Sequence, residues 1–273
     1  MLLTRRAALK GVLGGTVGAV AATAMYGVAY ERHHLGVTYA MLPVRGLPAA
    51  LTGLRIALLT DVHHSALVGA DDVRAAVDLA LSLRPDLIVL GGDYVTLRDP
   101  AFIGPVAELL GPLTAPHGVF AILGNHDDDK DMPAALAHRK FIVLKDQRTR
   151  LTVRGEALEL AGIRFWTRGS EVGRVIGNAR DTVLLLAHDP RRLTEAAALN
   201  VSAVLSGHTH GGQVVLPGVG ALAKARFPIL QGLGQRDHTS IFVSRGIGTV
   251  YVPVRINCPP EVALVTLKAT HVS

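Results

Sequence analysis

The sequence predicts an α/β fold, and two features of its 273 residues support that prediction. In the first half, three short apolar runs alternate with amphipathic stretches, as buried strands separated by helices do. In the second half, shorter apolar runs bounded by glycine and polar residues predominate, which is typical of further strands. A βαβαβ order favours parallel strands, so residues that follow the strands gather at one edge of the sheet.

The elements of the first half follow from local patterns. The apolar run at Leu54–Leu59 predicts the first strand. Residues 70–86 predict a helix, because apolar residues recur at helical spacing and Asp71 and Asp72 suit its N-terminus. A second strand ends at Gly91, a helix follows over about Phe102–Leu110, and a third strand ends at Gly124.

The second half is predicted to be richer in strands. A hairpin is expected near Leu151–Val153 and Ala157–Leu160, followed by a strand that ends at His188. Pro190 suits the first turn of a short helix. A strand, a turn at Gly207 and further strands close the chain.

The composition excludes several classes of protein. Hydrophobic residues make up 49% of the chain and charged residues 18%, which argues against disorder. Aromatic residues are only 4%, so no nucleic-acid partner is expected. The single cysteine, Cys258, excludes an internal disulfide and a cysteine-based metal cage. The net charge of +6 favours anionic partners, and residues 130–174 carry an excess of basic residues that forms either a solvated, paired surface or an attraction for anionic lipid.

The first 30 residues are predicted to be a twin-arginine-type export signal or signal-anchor. Arg5, Arg6 and Lys10 precede an uncharged stretch from Gly11 to Tyr30. The letters TRRAALK resemble the twin-arginine motif, although Ala8 stands where a bulky apolar residue is usual. An ordinary membrane anchor and a core helix with a basic start are the alternatives. The sequence is compatible both with removal of this segment after export and with its retention. Export would place the rest of the chain at the membrane or in the cell envelope. Residues 31–50 are then predicted as a linker with one short strand, and 51–273 as the catalytic domain.

Polar clusters follow five of the predicted strands. One such residue alone is more often a helix cap or a hydrogen-bonded loop residue. Five clusters at one edge are harder to explain in that way, and they consist of Asp61 and His63, then Asp93, then Asn125, His126 and Asp127, then His188, and finally His208 and His210.

The residue types of these clusters indicate metal chemistry. Carboxylate, amide oxygen and imidazole are ligands for Mn, Fe and Zn ions. Two ions ~3.5–4 Å apart can clamp the attacking and leaving oxygens of a phosphoryl displacement, and they lower the pKa of a bound water. A further histidine can protonate the leaving oxygen, which contributes roughly 10²–10⁴ in rate.

In this order the clusters resemble the calcineurin-like metallophosphoesterase family, over about Leu54 to Leu267. The resemblance implies a four-layer αββα sandwich, in which two packed mixed β-sheets are flanked by helices. It also implies two metal ions, for which Mn, Fe and Zn all fit and Mn is favoured. By residue it assigns Asp61, His63 and His210 to one ion, Asn125, His188 and His208 to the other, Asp93 to both, and it makes His126 catalytic with Asp127 orienting it.

Three segments resemble the small, membrane-associated phosphodiesterase branch of that family. They are GHTHGGQ at 207–213, SRGIG at 244–248 and PVRINCPPEVALVTL at 253–267. The resemblance implies hydrolysis of a phosphodiester or pyrophosphate by a metal-activated water, on a membrane or cell-envelope substrate. A small phosphoester or a lipid, a membrane surface and the export machinery are the expected partners, without an obligate protein partner. The alternatives are a UDP-2,3-diacylglucosamine pyrophosphatase, a phosphomonoesterase and a non-catalytic metal-containing scaffold.

Overall fold

The structure is a computed structural model that describes residues 5–179, 181–221, 226–227 and 229–270, with side chains in the first helix described from residue 14. The side chains of Arg5, Arg6 and Lys10, on which the export prediction depends, lie outside that description. Helix α1 spans Arg5–Ala29. Within the described part of the chain, no helix combines the length and the apolarity needed to cross a membrane.

The remaining elements alternate along the chain much as the apolar pattern predicts. The other helices are α2 (Ala70–Ser82), α3 (Pro100–Leu110), α4 (Asp131–His138), α5 (Gly169–Ile176) and α6 (Leu193–Ala198). The strands are β1 (Gly36–Arg45), β2 (Arg55–Leu59), β3 (Leu87–Leu90), β4 (Val119–Ala121), β5 (Ile142–Val143), β6 (Gln147–Val153), β7 (Glu156–Ile163), β8 (Thr182–Ala187), β9 (Ala203–Ser206), β10 (Val215–Leu216), β11 (Gly220–Ala221), β12 (Gly232–Arg236), β13 (Thr239–Val243) and β14 (Glu261–Thr270).

Two six-stranded sheets organise the molecule. The first sheet has the order β1-β14-β2-β3-β4-β5, and β2 to β5 run parallel. The second has the order β12-β13-β9-β8-β7-β6, and β7, β8, β9 and β13 run parallel. The prediction of parallel strands in the first half is confirmed, and it places the carboxyl ends of β2, β3 and β4 at one edge.

Three apolar clusters fill the space between four layers. The central cluster joins the facing sides of the two sheets and includes Leu58, Phe120, Leu186 and Phe242. A second cluster packs α2, α3 and α4 on the outer face of the first sheet. A third packs α5 and α6 on the outer face of the second sheet. The predicted αββα sandwich is therefore confirmed.

The segment from 31 to 50 contains the expected strand, but the strand is ten residues long and belongs to the first sheet, so the prediction of a linker was wrong. It contains the ten-residue strand β1, which pairs in parallel with β14 from Gly36↔Glu261 to Arg45↔Thr270. Leu42 and Val44 from β1 are fully buried in the central core. The folded domain therefore begins before residue 51. The sequence did not reveal this, because the strand that pairs with β1 lies at the far end of the chain.

The basic segment from 130 to 174 forms a paired surface. Seven of its Lys and Arg side chains form ion pairs, for example Arg148 with Glu159 and Arg164 with Asp146. Exposed pairs of this kind contribute little free energy. These pairs therefore favour a solvated, ion-paired surface for this segment over an attraction for anionic lipid.

Candidate metal centre

The predicted site residues converge at the edge where parallel strands of both sheets end. In the first sheet, β2 leads to Asp61 and His63, β3 to Asp93, and β4 to Asn125 and His126. In the second sheet, β8 leads to His188 and β9 to the turn that carries His208 and His210. Side chains far apart in sequence therefore lie close together, because the parallel strands of both sheets have their carboxyl ends on the same side of the molecule.

The backbone at this place is strained. A positive φ is rare for residues other than glycine, and it clusters at functional sites where surrounding structure holds it. Five of the predicted metal ligands have φ between +49° and +73°, namely Asp61, His63, Asp93, His208 and His210. The ligands therefore lie on tight turns that follow the strands, and not within the strands themselves.

The inward side chains form two groups of possible metal ligands. Asp61, His63 and His210 each offer one donor atom, and these atoms lie within 4.8 Å of one another. Asp93, His188 and His208 form a second group under the same limit. All of these residues are buried except His208, which is half-buried. Three donors at such separations can enclose a cation.

Asp93 lies between the two groups. Its Oδ2 is 3.1 Å from His188 Nε2 and 3.5 Å from His63 Nε2, so it faces one histidine of each group. Asp61 Oδ1 is 3.4 Å from His210 Nε2 and 3.8 Å from His188 Nε2. A carboxylate in the position of Asp93 can contribute an oxygen to each of two neighbouring ions.

Several buried polar atoms of these residues are left without protein partners. Among the described residues, Asn125 Oδ1 and His210 Nδ1 are buried and have no hydrogen-bond partner. The Nε2 atoms of His63 and His210 face each other at 3.2 Å. Orphaned donors and acceptors of this kind are costly unless an ion or ligand satisfies them. The donor set therefore fits metal ions, and it includes the Asn125 oxygen expected from the sequence.

The pKa values describe the electrostatics of this cluster. Burial raises the pKa of Asp61 to about 6, against the opposing effect of His188. Burial lowers the pKa of His188, but the carboxylates of Asp93 and Asp61 outweigh burial and raise it to about 10. Burial lowers the pKa of His63 to about 3. The two carboxylates thus stabilise positive charge at the centre of the cluster, which is the environment that a bound cation needs.

Hydrogen bonds fix which nitrogen of two histidines faces the cluster. His188 Nδ1 lies 2.8 Å from Gly91 O and must donate to it, so Nε2 points at Asp93. His126 Nδ1 accepts the backbone N–H of Leu97 at 2.9 Å, so its proton is on Nε2 when the ring is neutral. Burial lowers the pKa of His126, which favours that neutral form. The ring of His126 lies 4.9 Å from the ring of His63, at the border of the ligand cluster.

Asp127 does not orient the ring of His126, and here the expectation was wrong. Its Oδ2 accepts the N–H groups of Asp93 and Gly124, and its Oδ1 accepts the N–H of Tyr94, at 2.7 to 2.8 Å. Three buried backbone donors therefore meet one buried carboxylate. Asp127 positions the turns that carry Asp93 and Asn125, while Leu97 holds His126.

A buried arginine that the motif analysis did not single out holds a turn next to the metal ligands. Arg255 is fully buried, and its guanidinium donates to the carbonyls of Gly248, Cys258, Arg245 and Gly246. Burial lowers its pKa. These bonds hold the 244–248 turn next to Asp61. The approach is close, because an added Cβ at Gly246, where φ is +71°, would lie 2.5 Å from Asp61 Cβ. Arg255 lies inside the PVRINCPPEVALVTL segment, so that resemblance was the available signal.

Aromatic and apolar residues surround the opening above the cluster. A shallow depression of about 330 Å³ is lined by Leu97, Arg98, Asn125, His126, Phe165, Trp166 and Tyr251. Phe165 packs with its ring 5.2 Å from His208, and Tyr251 lies 5.8 Å from His126. No local pattern identified Phe165, Trp166 or Tyr251, because their position depends on loops from both sheets. The opening can take a polar group at the ligands and an apolar group beside it.

Comparisons with known proteins agree with this chemistry. A family model described as calcineurin-like phosphoesterase matches residues 54–212, which include every predicted ligand. The metallophosphoesterase YkuE of Bacillus subtilis is 30% identical over 283 positions, which cover 98% of this chain and 99% of the relative. The phosphodiesterase YaeI of Escherichia coli is 31% identical over 78% of this chain and 82% of its own length. A transmembrane protein with a metallophosphoesterase domain from Danio rerio is 31% identical over 91% of this chain, but only over 61% of its own length.

Proposed function

This chain belongs to the calcineurin-like phosphoesterase family of metal-dependent phosphoester hydrolases, and on that premise we propose that it hydrolyses a phosphodiester or pyrophosphate bond. The observation that carries the proposal is the pair of ligand groups that meet at Asp93, next to the Nε2–H of His126. The 31% identity to a relative named a phosphodiesterase supports a diester over a monoester.

The proposed ligands are those expected from the sequence. Asp61, His63 and His210 would hold one ion, and Asn125, His188 and His208 the other, with Asp93 shared. Two ions bound there would polarise the phosphoryl group and make a water molecule more acidic. Manganese is the proposed metal, since carboxylate and amide oxygens suit it. The histidine nitrogens of the same site also suit iron and zinc.

The residues of the chain supply positioning and a proton. His126 presents Nε2–H to the opening, where it can donate to a phosphoryl or leaving-group oxygen. Leu97 fixes the ring through its backbone N–H, so the donor stays aimed without a carboxylate partner. Phe165 packs against the ring of His208 from one side. The depression is open beyond these residues, which suits a substrate with substituents on both sides of the phosphorus.

The reaction can be tested with a soluble diester. Purified full-length protein is assayed with bis-p-nitrophenyl phosphate and Mn²⁺, then after EDTA, with p-nitrophenyl phosphate as the monoester comparison. We expect metal-dependent turnover that favours the diester and that falls sharply in His126→Ala. Turnover that prefers the monoester would support a phosphatase, and an absence of turnover in metal-loaded protein would support a non-catalytic scaffold.

We further propose export by a twin-arginine-type route to the outer side of the cytoplasmic membrane, where a membrane or cell-envelope substrate would be met. The basic start and the uncharged stretch of residues 11–30 support this proposal. Fractionation of cells that express a tagged chain tests it, with the double variant Arg5→Lys/Arg6→Lys as the control. Wild-type protein that stays in the cytoplasm would contradict export.

A further inference from the structure

Three exposed apolar side chains line the opening of the metal centre, and a fourth, Val252, follows one of them in the chain. Leu97 is 68% exposed, Trp166 67%, Tyr251 68% and Val252 52%. They lie on three loops, which follow β3, β7 and β13. Scattered exposed apolar residues are ordinary, but a group that borders a single opening marks an interaction surface. We call these four residues the apolar rim.

Each member of the apolar rim is held at a fixed position relative to the site. The N–H of Leu97 donates to His126 Nδ1. Trp166 packs edge-on against Phe165 at 4.6 Å, and Phe165 in turn contacts His208.

The loop that carries the other two members is held as firmly. Val250 N–H donates to the Gln213 side-chain oxygen, and the Gln213 amide donates to Val252 O. Gln213 follows the His208–His210 turn and donates its own N–H to His210 O. These contacts link the loops of the rim to the turns that carry the ligands, so a surface that touches the rim lies next to the metal centre.

Helix α1 leaves the domain beside the same loop. The N–H of Arg255 donates to Gly27 O, and an added Cβ at Gly27 would lie 2.6 Å from Arg255 O. Val252 is only three residues before Arg255 in the chain. Residues 14–26 of α1 are all exposed, and none of them is charged. An exposed, uncharged stretch of helix α1 thus ends close to the loop that carries Tyr251 and Val252.

From this arrangement we propose that the apolar rim inserts into the headgroup region of an anionic phospholipid bilayer, and that the metal centre cleaves phosphoesters presented there. Tryptophan and tyrosine are the residues enriched at membrane interfaces, where an apolar ring lies beside polar groups. Arg98 is exposed next to Leu97, where its positive charge complements anionic lipid.

A bilayer fits this surface better than a protein partner. The rim residues lie on separate loops around an open depression. A protein that covered all four residues would close the opening, whereas a bilayer offers headgroups to it. The inference rests on the proposed membrane-side substrate, and it narrows that substrate to a phosphoester of a lipid.

The single tryptophan of the chain, Trp166, reports directly on this contact. Full-length protein is mixed with vesicles of phosphatidylcholine and phosphatidylglycerol, and its emission is compared with that in buffer. We expect a shift to shorter wavelength, and quenching by lipids brominated on the acyl chain near the headgroup. Vesicles of phosphatidylcholine alone should bind more weakly, because they lack the anionic attraction.

A rim variant and a matched control separate the rim from helix α1. Leu97→Ser/Val252→Ser should weaken vesicle partitioning at least about tenfold, since each apolar side chain contributes to insertion. Tyr39→Ser/Met41→Ser removes two equally exposed side chains from edge strand β1 and should bind vesicles like the wild type. An unshifted Trp166 emission in protein that sediments with vesicles overturns the proposal, as does equal binding by the rim variant or a lack of binding by the wild type.

The tryptophan measurement does not depend on catalysis. Turnover of bis-p-nitrophenyl phosphate is measured on the same samples. Turnover without a Trp166 shift refutes the docking surface and leaves the proposed hydrolysis intact. A Trp166 shift without turnover retains the surface and refutes the proposed hydrolysis.

Discussion

Asp127→Asn is the substitution that best tests the positioning role described above. The Asp127 carboxylate accepts three backbone N–H groups with two oxygens, two at Oδ2 and one at Oδ1. An amide has one oxygen and one NH₂ group. If the amide oxygen keeps the N–H groups of Asp93 and Gly124, the NH₂ group faces the N–H of Tyr94, and one buried donor loses its acceptor.

The expected cost follows from these bonds. A buried polar group without a partner costs about 1–3 kcal/mol, and the remaining bonds weaken because their acceptor is no longer charged. Burial, together with the nearby Asp93 carboxylate, raises the pKa of Asp127 to about 7, so a neutral amide also relieves an unfavourable charge. This relief offsets part of the loss, and we expect a net destabilisation of about 2 kcal/mol.

Urea unfolding of wild-type and variant protein measures this change. Asp128→Asn is the matched control, because the single oxygen Oδ1 of Asp128 accepts both of its N–H groups and an amide can replace it. Its free energy of unfolding should stay within about 0.5 kcal/mol of the wild type, as for most surface substitutions. If Asp127→Asn is as stable as this control but loses turnover, the carboxylate acts on the reacting groups and our reasoning is refuted.

Three further predictions concern the proposed chemistry. His126→Ala should lower kcat by roughly 10²–10⁴ while the metal content by elemental analysis stays unchanged, and a loss of metal would instead identify His126 as a ligand. Gly207→Ala places a Cβ 2.2 Å from Asp61 Oδ2, so calorimetry should show manganese affinity at least about tenfold weaker. Gly104→Ala has open space around its Cβ and should bind manganese like the wild type. Manganese at about 100 times its Kd should stabilise the fold by about 2.7 kcal/mol per independent site, whereas a thermal unfolding curve that EDTA does not change would contradict a buried metal centre.

The sequence predicted the order of strands and the polar residues that follow them. A strand and the turn after it are local, so the apolar runs before Asp61, Asp93, Asn125 and His208 were readable one at a time. Parallel strands end at a common edge, which brought these residues to one place without any knowledge of contacts. Helix α2 and helix α3 were likewise predicted by spacing, within a few residues of their observed bounds.

The extent of the domain was not readable in this way. Strand β1 pairs with β14, which lies more than 200 residues further along the chain, so neither its own sequence nor its neighbours revealed the pairing. The mixed residues of 31–50 therefore predicted a linker with one short strand, and not a strand of the first sheet. Burial of Leu42 and Val44 in the central core becomes evident only when the two ends of the chain are brought together.

By itself the sequence determined which side chains could bind metal ions and on which side of the sheets they would lie, because both depend on residue type and on local strand direction. Only the tertiary structure decided what holds and surrounds them. The N–H of Leu97 fixes His126, Asp127 serves three backbone groups, and Arg255 supports the turn beneath Asp61. The apolar rim likewise exists only after loops from two different sheets meet at one opening, since contacts across separate elements depend on packing and not on any local pattern.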